Sequence, residues 1–394
     1  MICPDTLAND IKARVGGVLG GVEGFVPLHE PEFLGDEEAL VVDCIRSGWV
    51  SSVGEYVDRF ESELARACGV AHGIAAVNGT AALEVAMRVA GVEAGDEVLM
   101  PSLTFIATAN ATHHLGAVPH FVDVEESTLG LAPRALREHL EQIAERRNGV
   151  TINGQTGRRL AAVVPMHAFG HPVDMDELVT VALEFGLVVV EDAAEALGSR
   201  HGGRPCGSLG RIAALSFNGN KILTTGGGGA IVTDDPDLAA HAKHLTTTAK
   251  VPHAWAFHHD EIGYNYRMPN LNAALGVAQL AQLESRLAKK RILAERYLAA
   301  FSDLNGASGY AEREGTRSNY WLNTILLDPE AADARDTVLR VLNDGGFMAR
   351  PVWEPLHTLD IYAGCPRAGL AVTESLASRI VNIPSSARLG LVRL

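Results

Sequence analysis

An acid and a lysine stand at places in this sequence from which they could act together. Asp192, with Glu191, closes the apolar run 187–190, and Lys221 ends the turn Asn218-Gly219-Asn220-Lys221 that leaves a second apolar run at 212–217. A lysine amine captures an aldehyde as a Schiff base, and a carboxylate set against a pyridine nitrogen keeps it protonated so that the ring can draw electrons. Pyridoxal phosphate chemistry requires both. Taken singly, Asp192 reads as a loop acid or helix cap and Lys221 as a surface lysine, because short matches arise often by chance. The elements that must position the two residues decide between these readings.

Run 187–190 is apolar and largely β-branched, which suits a buried parallel strand. An open α/β sheet binds its ligands beyond the carboxyl ends of its strands, which puts Asp192 and Lys221 on one rim. The glycines 226–229 supply flexible backbone beside the lysine before a third strand at 230–233. Strands expected at 74–77, 97–100, 118–124 and 161–166 alternate with helices at 81–89, 107–115 and 133–146, the pattern of a largely parallel sheet covered on both faces. Asn78-Gly79-Thr80 opens the helix at 81–89, where free N–H groups and a partial positive charge can cup a phosphate; ordinary capping is the alternative. Phe105, just past a strand, can stack on a planar ring or pack in the core. His167 ends the run 161–166 and is a candidate for substrate contact, although a histidine there is more often structural. The loop 48–54, with Trp49, Ser51 and Ser52 between glycines, suits the covering of a polar ligand or a plain helix–helix connection.

The segments VVVEDAAEALGS, LSFNGNKILTTGGGGAIVTDD and GYNYRMPNLNAALGVAQL resemble the nucleotide-sugar aminotransferases of the DegT/DnrJ type, and the resemblance runs from about residue 25 to 386. It implies the aspartate-aminotransferase-like pyridoxal phosphate fold of type I: an α/β protein with a large, mostly parallel sheet domain covered by helices and a smaller α/β C-terminal domain. It makes Lys221 the Schiff-base lysine and proton carrier, Asp192 the partner of the ring nitrogen and Phe105 the stacked aromatic. Gly79, Thr80, Ala81 and Ser216 become phosphate ligands. Glu195 stands where the family most often has glutamine, near the cofactor's ring oxygen. Asn265 is implied to reach the neighbouring subunit's phosphate, so the protein is expected to be a homodimer with shared active sites. Trp49, Ser51, Ser52, Arg350 and His357 fall in segments that approach the nucleotide sugar. Lys221 favours transamination over the related dehydratases, which carry histidine there. The implied reaction is a ping-pong transfer from an amino acid, glutamate by expectation, to a keto sugar. GWVSSVGEYVDRFE, LTTTAKVPHAWAFHHDEIGYNYRMPNLNAALG and RSNYWLN together look closest to the legionaminic-acid and bacillosamine enzymes, which aminate C4 of a UDP-linked 2-acetamido-4-keto-2,4,6-trideoxy sugar. Perosamine synthases, acting on a GDP-linked 4-keto-6-deoxymannose, are the nearest competitors.

The rest of the chain bounds these readings. Its 394 residues suit an N-terminal extension (1–24), a large domain (25–280, with a substrate-loop segment at 25–55) and a small domain (281–394). A net charge of −15 disfavours nucleic acid or an anionic membrane as partner. Five cysteines without a CxxC or zinc-ligand spacing read as reduced thiols. No metal site is expected, and His253, His258 and His259 lack the spacing of zinc ligands. Without an expected signal peptide or membrane span, the protein is placed in the cytoplasm. The glycine-rich stretch at 16–24 reads as a flexible connection rather than a dinucleotide loop, because no strand precedes it. A nicotinamide dehydrogenase lacks its GxGxxG here, and a silent binding homologue fits poorly with both Lys221 and Asp192 retained. A helix is expected at 337–344 and another near 372–381.

Overall fold

The computed structural model describes residues 3–20 and 24–391. Its centre is a seven-stranded sheet formed by β1 (His72–Ala76), β2 (Glu97–Pro101), β3 (Val118–Val122), β4 (Leu160–Val163), β5 (Val188–Asp192), β6 (Ile212–Ser216) and β7 (Gly229–Thr233). The spatial order is β1-β7-β6-β5-β4-β2-β3. Only β7 runs antiparallel to its neighbours. The sheet is therefore mixed but mostly parallel, as expected of the α/β class.

Alternation along each strand feeds two cores. Val189, Ala213, Leu215 and Val232 face one side with Phe60 and Leu64 of the helix Glu55–Cys68, while Val190, Ile212, Ala214 and Ile231 face the other with Leu83 and Met87 of the helix Gly79–Val89. The same alternation splits the acidic pair at the end of β5. Glu191 turns toward the first face and Asp192 toward the second. A smaller antiparallel sheet, in the order Ala307–Gly309, Asn323–Leu327, Ile380–Ile383, Arg350–Pro351, forms the C-terminal unit.

Four sequence expectations change. The helix expected at 133–146 stops at Ile143, and Ala144–Arg147 pairs instead with Val150–Asn153 in a hairpin. Ala, Glu and Arg favour a helix, but propensity is a weak prior and pairing across the Asn148-Gly149 turn, both residues at positive φ, overrides it. The helix expected near 372–381 covers only Ala371–Ala377, and Ile380–Ile383, fully buried, becomes a strand of the small sheet. The stretch expected as a flexible connection from residue 16 begins inside a helix. The helix Pro4–Leu19 runs on through Gly16 and Gly17, because Leu7, Ile11, Val15 and Leu19 pack with Leu293, Tyr297, Val338 and Leu342 of the C-terminal unit. This burial outweighs a cost of about 1 kcal/mol for each helical glycine. Residues 21–23 of the supposed flexible connection lie outside the described residues. Finally, the strand expected at 161–166 ends at Val163.

Gly229 shows how tightly the sheet holds the turn at the start of Gly79–Val89. A Cβ there would lie 2.4 Å from the carbonyl carbon and oxygen of Asn78 and 2.7 Å from the nitrogen of Gly79. Backbone cannot yield as a flexible side chain can. Gly229→Ala is expected to destabilise the protein by about 1–3 kcal/mol through overpacking. Denaturant titration checks this, and unchanged stability would mean that the turn is not held by this contact.

Candidate active site

At the carboxyl ends of β5 and β6, a cavity of ≈290 Å³ brings together most of the residues expected from the sequence to contact the cofactor: Gly79, Thr80, Phe105, Asp192, Glu195, Ser216 and Lys221. Each wall follows from a local feature. Asn78 caps the helix Gly79–Val89 by accepting a hydrogen bond from Ala81 N at 2.8 Å. The first-turn N–H groups of Gly79 and Thr80 have no intrahelical acceptor, and the helix end carries partial positive charge. Gly79 is required for closeness: a Cβ there would lie 2.9 Å from Ser216 Cβ. Ala81 does not line the cavity, because its N–H is already taken by the cap and its side chain is buried.

Asp192 is buried at 4% exposure, accepting a hydrogen bond from Thr108 Oγ1 at 2.7 Å and another from Ala194 N at 3.2 Å. Burial pushes its carboxyl above the usual range, opposed by these bonds and by Lys221. A bound cation, such as a protonated ring nitrogen, would relieve that cost. Across the cavity Phe105 keeps half its surface exposed.

Lys221 Nζ lies 3.1 Å from Glu195 Oε1, and Glu195 Oε2 accepts a hydrogen bond from Phe169 N at 2.9 Å. Phe169 adopts a positive φ of 56° while its ring stacks on Trp353 at 4.9 Å. Such strain in a non-glycine residue persists only where the surroundings hold it. Burial pushes Glu195 up to about 6, against the opposing charge of Lys221.

Other candidates lie elsewhere. His167 is fully buried below the rim: its Nδ1 accepts from Val173 N at 3.1 Å and its Nε2 faces Glu191 at 3.1 Å, so it is a structural link and not a substrate contact. Glu191 in turn accepts N–H bonds from Gly207, Leu209 and Gly210, which fix the loop before β6. His357 Nδ1 pairs with Ser102 Oγ at 2.8 Å and Arg350 is exposed on its strand; neither lines the cavity. Trp49 lines a separate cavity of ≈520 Å³, and its loop is tied down by Asn270, whose Nδ2 donates to Trp49 O and whose N–H donates to Ser51 O, both at 2.7 Å. Ser51, Ser52 and the exposed Asn265 are likewise absent from the lining.

The cavity also contains Asn218, Asn220, Trp321 and Trp353, which the sequence reading did not single out. The two asparagines flank Lys221 in the motif already quoted. The tryptophans come from the C-terminal unit, and no local pattern announces a contact across such a sequence separation. Thr108, three residues past Phe105, was legible only as part of a helix.

The position of Glu195 has a consequence for stability. Its value near 6 against an ordinary 4.5 means that the folded state binds this proton more tightly than the unfolded chain. The contribution of Glu195 to stability therefore grows as pH falls through 6 and is lost as pH rises through it. Relative to Glu195→Gln, which cannot titrate, the wild-type protein is expected to gain about 1 kcal/mol between pH 7 and pH 5. Paired denaturant titrations read this difference, and a relative loss on acidification would contradict it.

Comparison with known proteins places the chain in a family. The chain is 38% identical over 335 residues to EpsN of Bacillus subtilis (strain 168), covering 85% of this chain and 83% of that protein. It is 35% identical over 361 residues to the GDP-perosamine synthase of Vibrio cholerae, covering 91% and 94%. The crystal structure of the aminotransferase TlmJ from Streptoalloteichus hindustanus superimposes with a TM-score of 0.83 at 30% identity, covering 92% of this chain and 94% of that one. The fold is that of the type I pyridoxal phosphate aminotransferases. A model of the DegT/DnrJ/EryC1/StrS aminotransferase family matches residues 33–392, and the chain belongs to that family.

Proposed function

We propose that this protein transfers an amino group from an amino acid to the keto carbon of a nucleotide-linked sugar, using pyridoxal phosphate held in the cavity around Lys221. The observation that carries the reading is the convergence of a lysine amine, a buried carboxylate and a helix N-terminus on one cavity. These residues fit the cofactor: Asp192 matches a protonated ring nitrogen, the Gly79 and Thr80 N–H groups with the Ser216 hydroxyl match a phosphate, and Phe105 offers a ring face. When bound, the cofactor supplies an aldehyde that captures amines and a ring that withdraws electrons. Lys221 would hold the cofactor through its amine and, with that amine free, would carry the proton at the substrate carbon. Thr108 and Ala194 fix the Asp192 carboxylate so that its charge is in place before reaction.

The chain's own single-chain cavity lacks the Trp49 loop and Asn265, both exposed. A homodimer in which each subunit completes its partner's site accounts for them. Lys221→Ala is expected to leave a folded protein without turnover. Mixing it with Asn265→Ala subunits is expected to restore part of the activity through hybrid dimers that contain one intact site. Wild-type turnover in Lys221→Ala would remove the lysine's role, and no recovery after verified subunit exchange would remove the shared site.

Two sugars compete. The segments GWVSSVGEYVDRFE and RSNYWLN favour the UDP-linked 2-acetamido-4-keto sugar. Likeness to GDP-perosamine synthases over nine-tenths of the chain supports the GDP-linked 4-keto-6-deoxymannose, and we adopt this second reading. The two differ at C2 and in the base, so a pocket shaped for one leaves contacts unmade with the other. With glutamate as donor, kcat/KM is expected to be at least tenfold higher for the GDP-linked sugar, since unmade contacts typically cost ~1.4 kcal/mol or more. A higher value for the UDP-linked sugar would return the choice to the acetamido substrate.

A further inference from the structure

The Lys221 amine has a second neighbour besides Glu195. Its Nζ lies 4.0 Å from the centroid of the Trp321 ring, over the ring face. An aromatic face carries negative potential and attracts an ammonium group, more so where water is excluded. The Lys221 side chain is 12% exposed and Trp321 5% exposed. The contact is thus largely desolvated.

Trp321 is held in this position through its ring nitrogen and its backbone. Its Nε1 donates to Asn220 O at 2.7 Å, its N–H donates to Asn319 Oδ1 at 2.7 Å, and its carbonyl accepts from the buried Lys290 Nζ at 3.0 Å. Tyr320, just before it, takes a positive φ of 47°, a strained conformation that aims the following residue. Asn319 also donates through Nδ2 to the carbonyls of Glu195 and Leu197, at 2.8 and 2.9 Å. One asparagine therefore ties together the two segments that flank the lysine amine. Glu195 comes from the turn after β5, and Trp321 from the C-terminal unit just before Asn323–Leu327.

We infer that Trp321 is a positioning residue for Lys221: its ring face and the Glu195 carboxylate form a two-sided rest that keeps the amine at the cavity wall whenever it is not bonded to cofactor. This inference rests on the proposed role of Lys221. A lysine whose amine is placed by four rotatable bonds loses its geometry once released, and proton transfer demands that it return within hydrogen-bond reach of the substrate carbon. Trp321 restricts that freedom without supplying a proton itself. Because the ring comes from the C-terminal unit, the rest exists only while that unit is seated on the large sheet domain.

The test replaces Trp321 by tetrafluorotryptophan, which keeps the shape and the indole N–H but cancels the negative ring face, alongside Trp321→Phe and Trp321→Leu. In the full-length chain before cofactor is added, acetylation of Lys221 by acetic anhydride is followed by mass spectrometry relative to a surface lysine. Loss of the ring face is expected to speed acetylation by about two- to thirty-fold in the fluorinated and Leu proteins, with Phe close to wild type. In the loaded enzyme, kcat of the half-reaction with glutamate is expected to fall in the same order while KM stays nearly constant. Equal acetylation rates for wild type and the fluorinated protein, or a Phe variant as fast as Leu, would overturn the inference and leave Trp321 as a support for Asn220. Absence of pyridoxal phosphate binding by wild type would instead remove the proposed function, and the acetylation order would still decide the contact.

Discussion

A carboxylate buried at the end of a parallel strand sets the terms for this site. Asp192 lies in a place where its charge is disfavoured, and the structure answers with a hydroxyl, a backbone N–H and a lysine. Such a group is stable as an anion only when a cation stands near it. The position is useful because the strand end also faces the helix Gly79–Val89, whose N-terminus favours the opposite end of an anionic ligand. Charges of both signs are thereby built into one small cavity before any ligand arrives, which is the condition for electrostatic catalysis.

The neighbouring Glu191 shows the other side of the same strand. Alternation sends it away from the cavity, where it gathers three N–H groups of the loop before β6 and the ring of His167. That loop leads into the strand carrying Ser216, so the two acids at 191 and 192 divide the work of anchoring and of chemistry. His167 was placed at the rim by sequence because it follows a strand. The strand ends at Val163, however, and the histidine is buried with its ring between Val173 N and Glu191.

The central sheet and the strand-end residues were legible because their signals are local: apolar runs, a glycine-rich turn, an asparagine before a helix. Lys221, Asp192, Ser216, Gly79 and Phe105 all sit at such boundaries, and the cavity joins them. Ala81 lies beside the cavity and not in its lining for a local reason too, since the Asn78 cap takes its N–H. The misses are non-local. Nothing in the periodicity of RSNYWLN or ARPVWEPLH says that Trp321 and Trp353 reach the cavity, and nothing in 371–383 separates a helix from a buried inner strand of the small sheet until its neighbours are known. The Trp49 loop and Asn265 remain at the surface of a single chain, where their expected roles depend on a second subunit.

The claim on which the rest depends is that Lys221, and no other lysine, bonds the cofactor. Reduction of the protein with borohydride after loading with pyridoxal phosphate, followed by peptide mapping, tests it directly. One phosphopyridoxyl group per chain on the peptide containing Lys221 is the expected result. A label on a different lysine, or no label under conditions that preserve the fold, would contradict it.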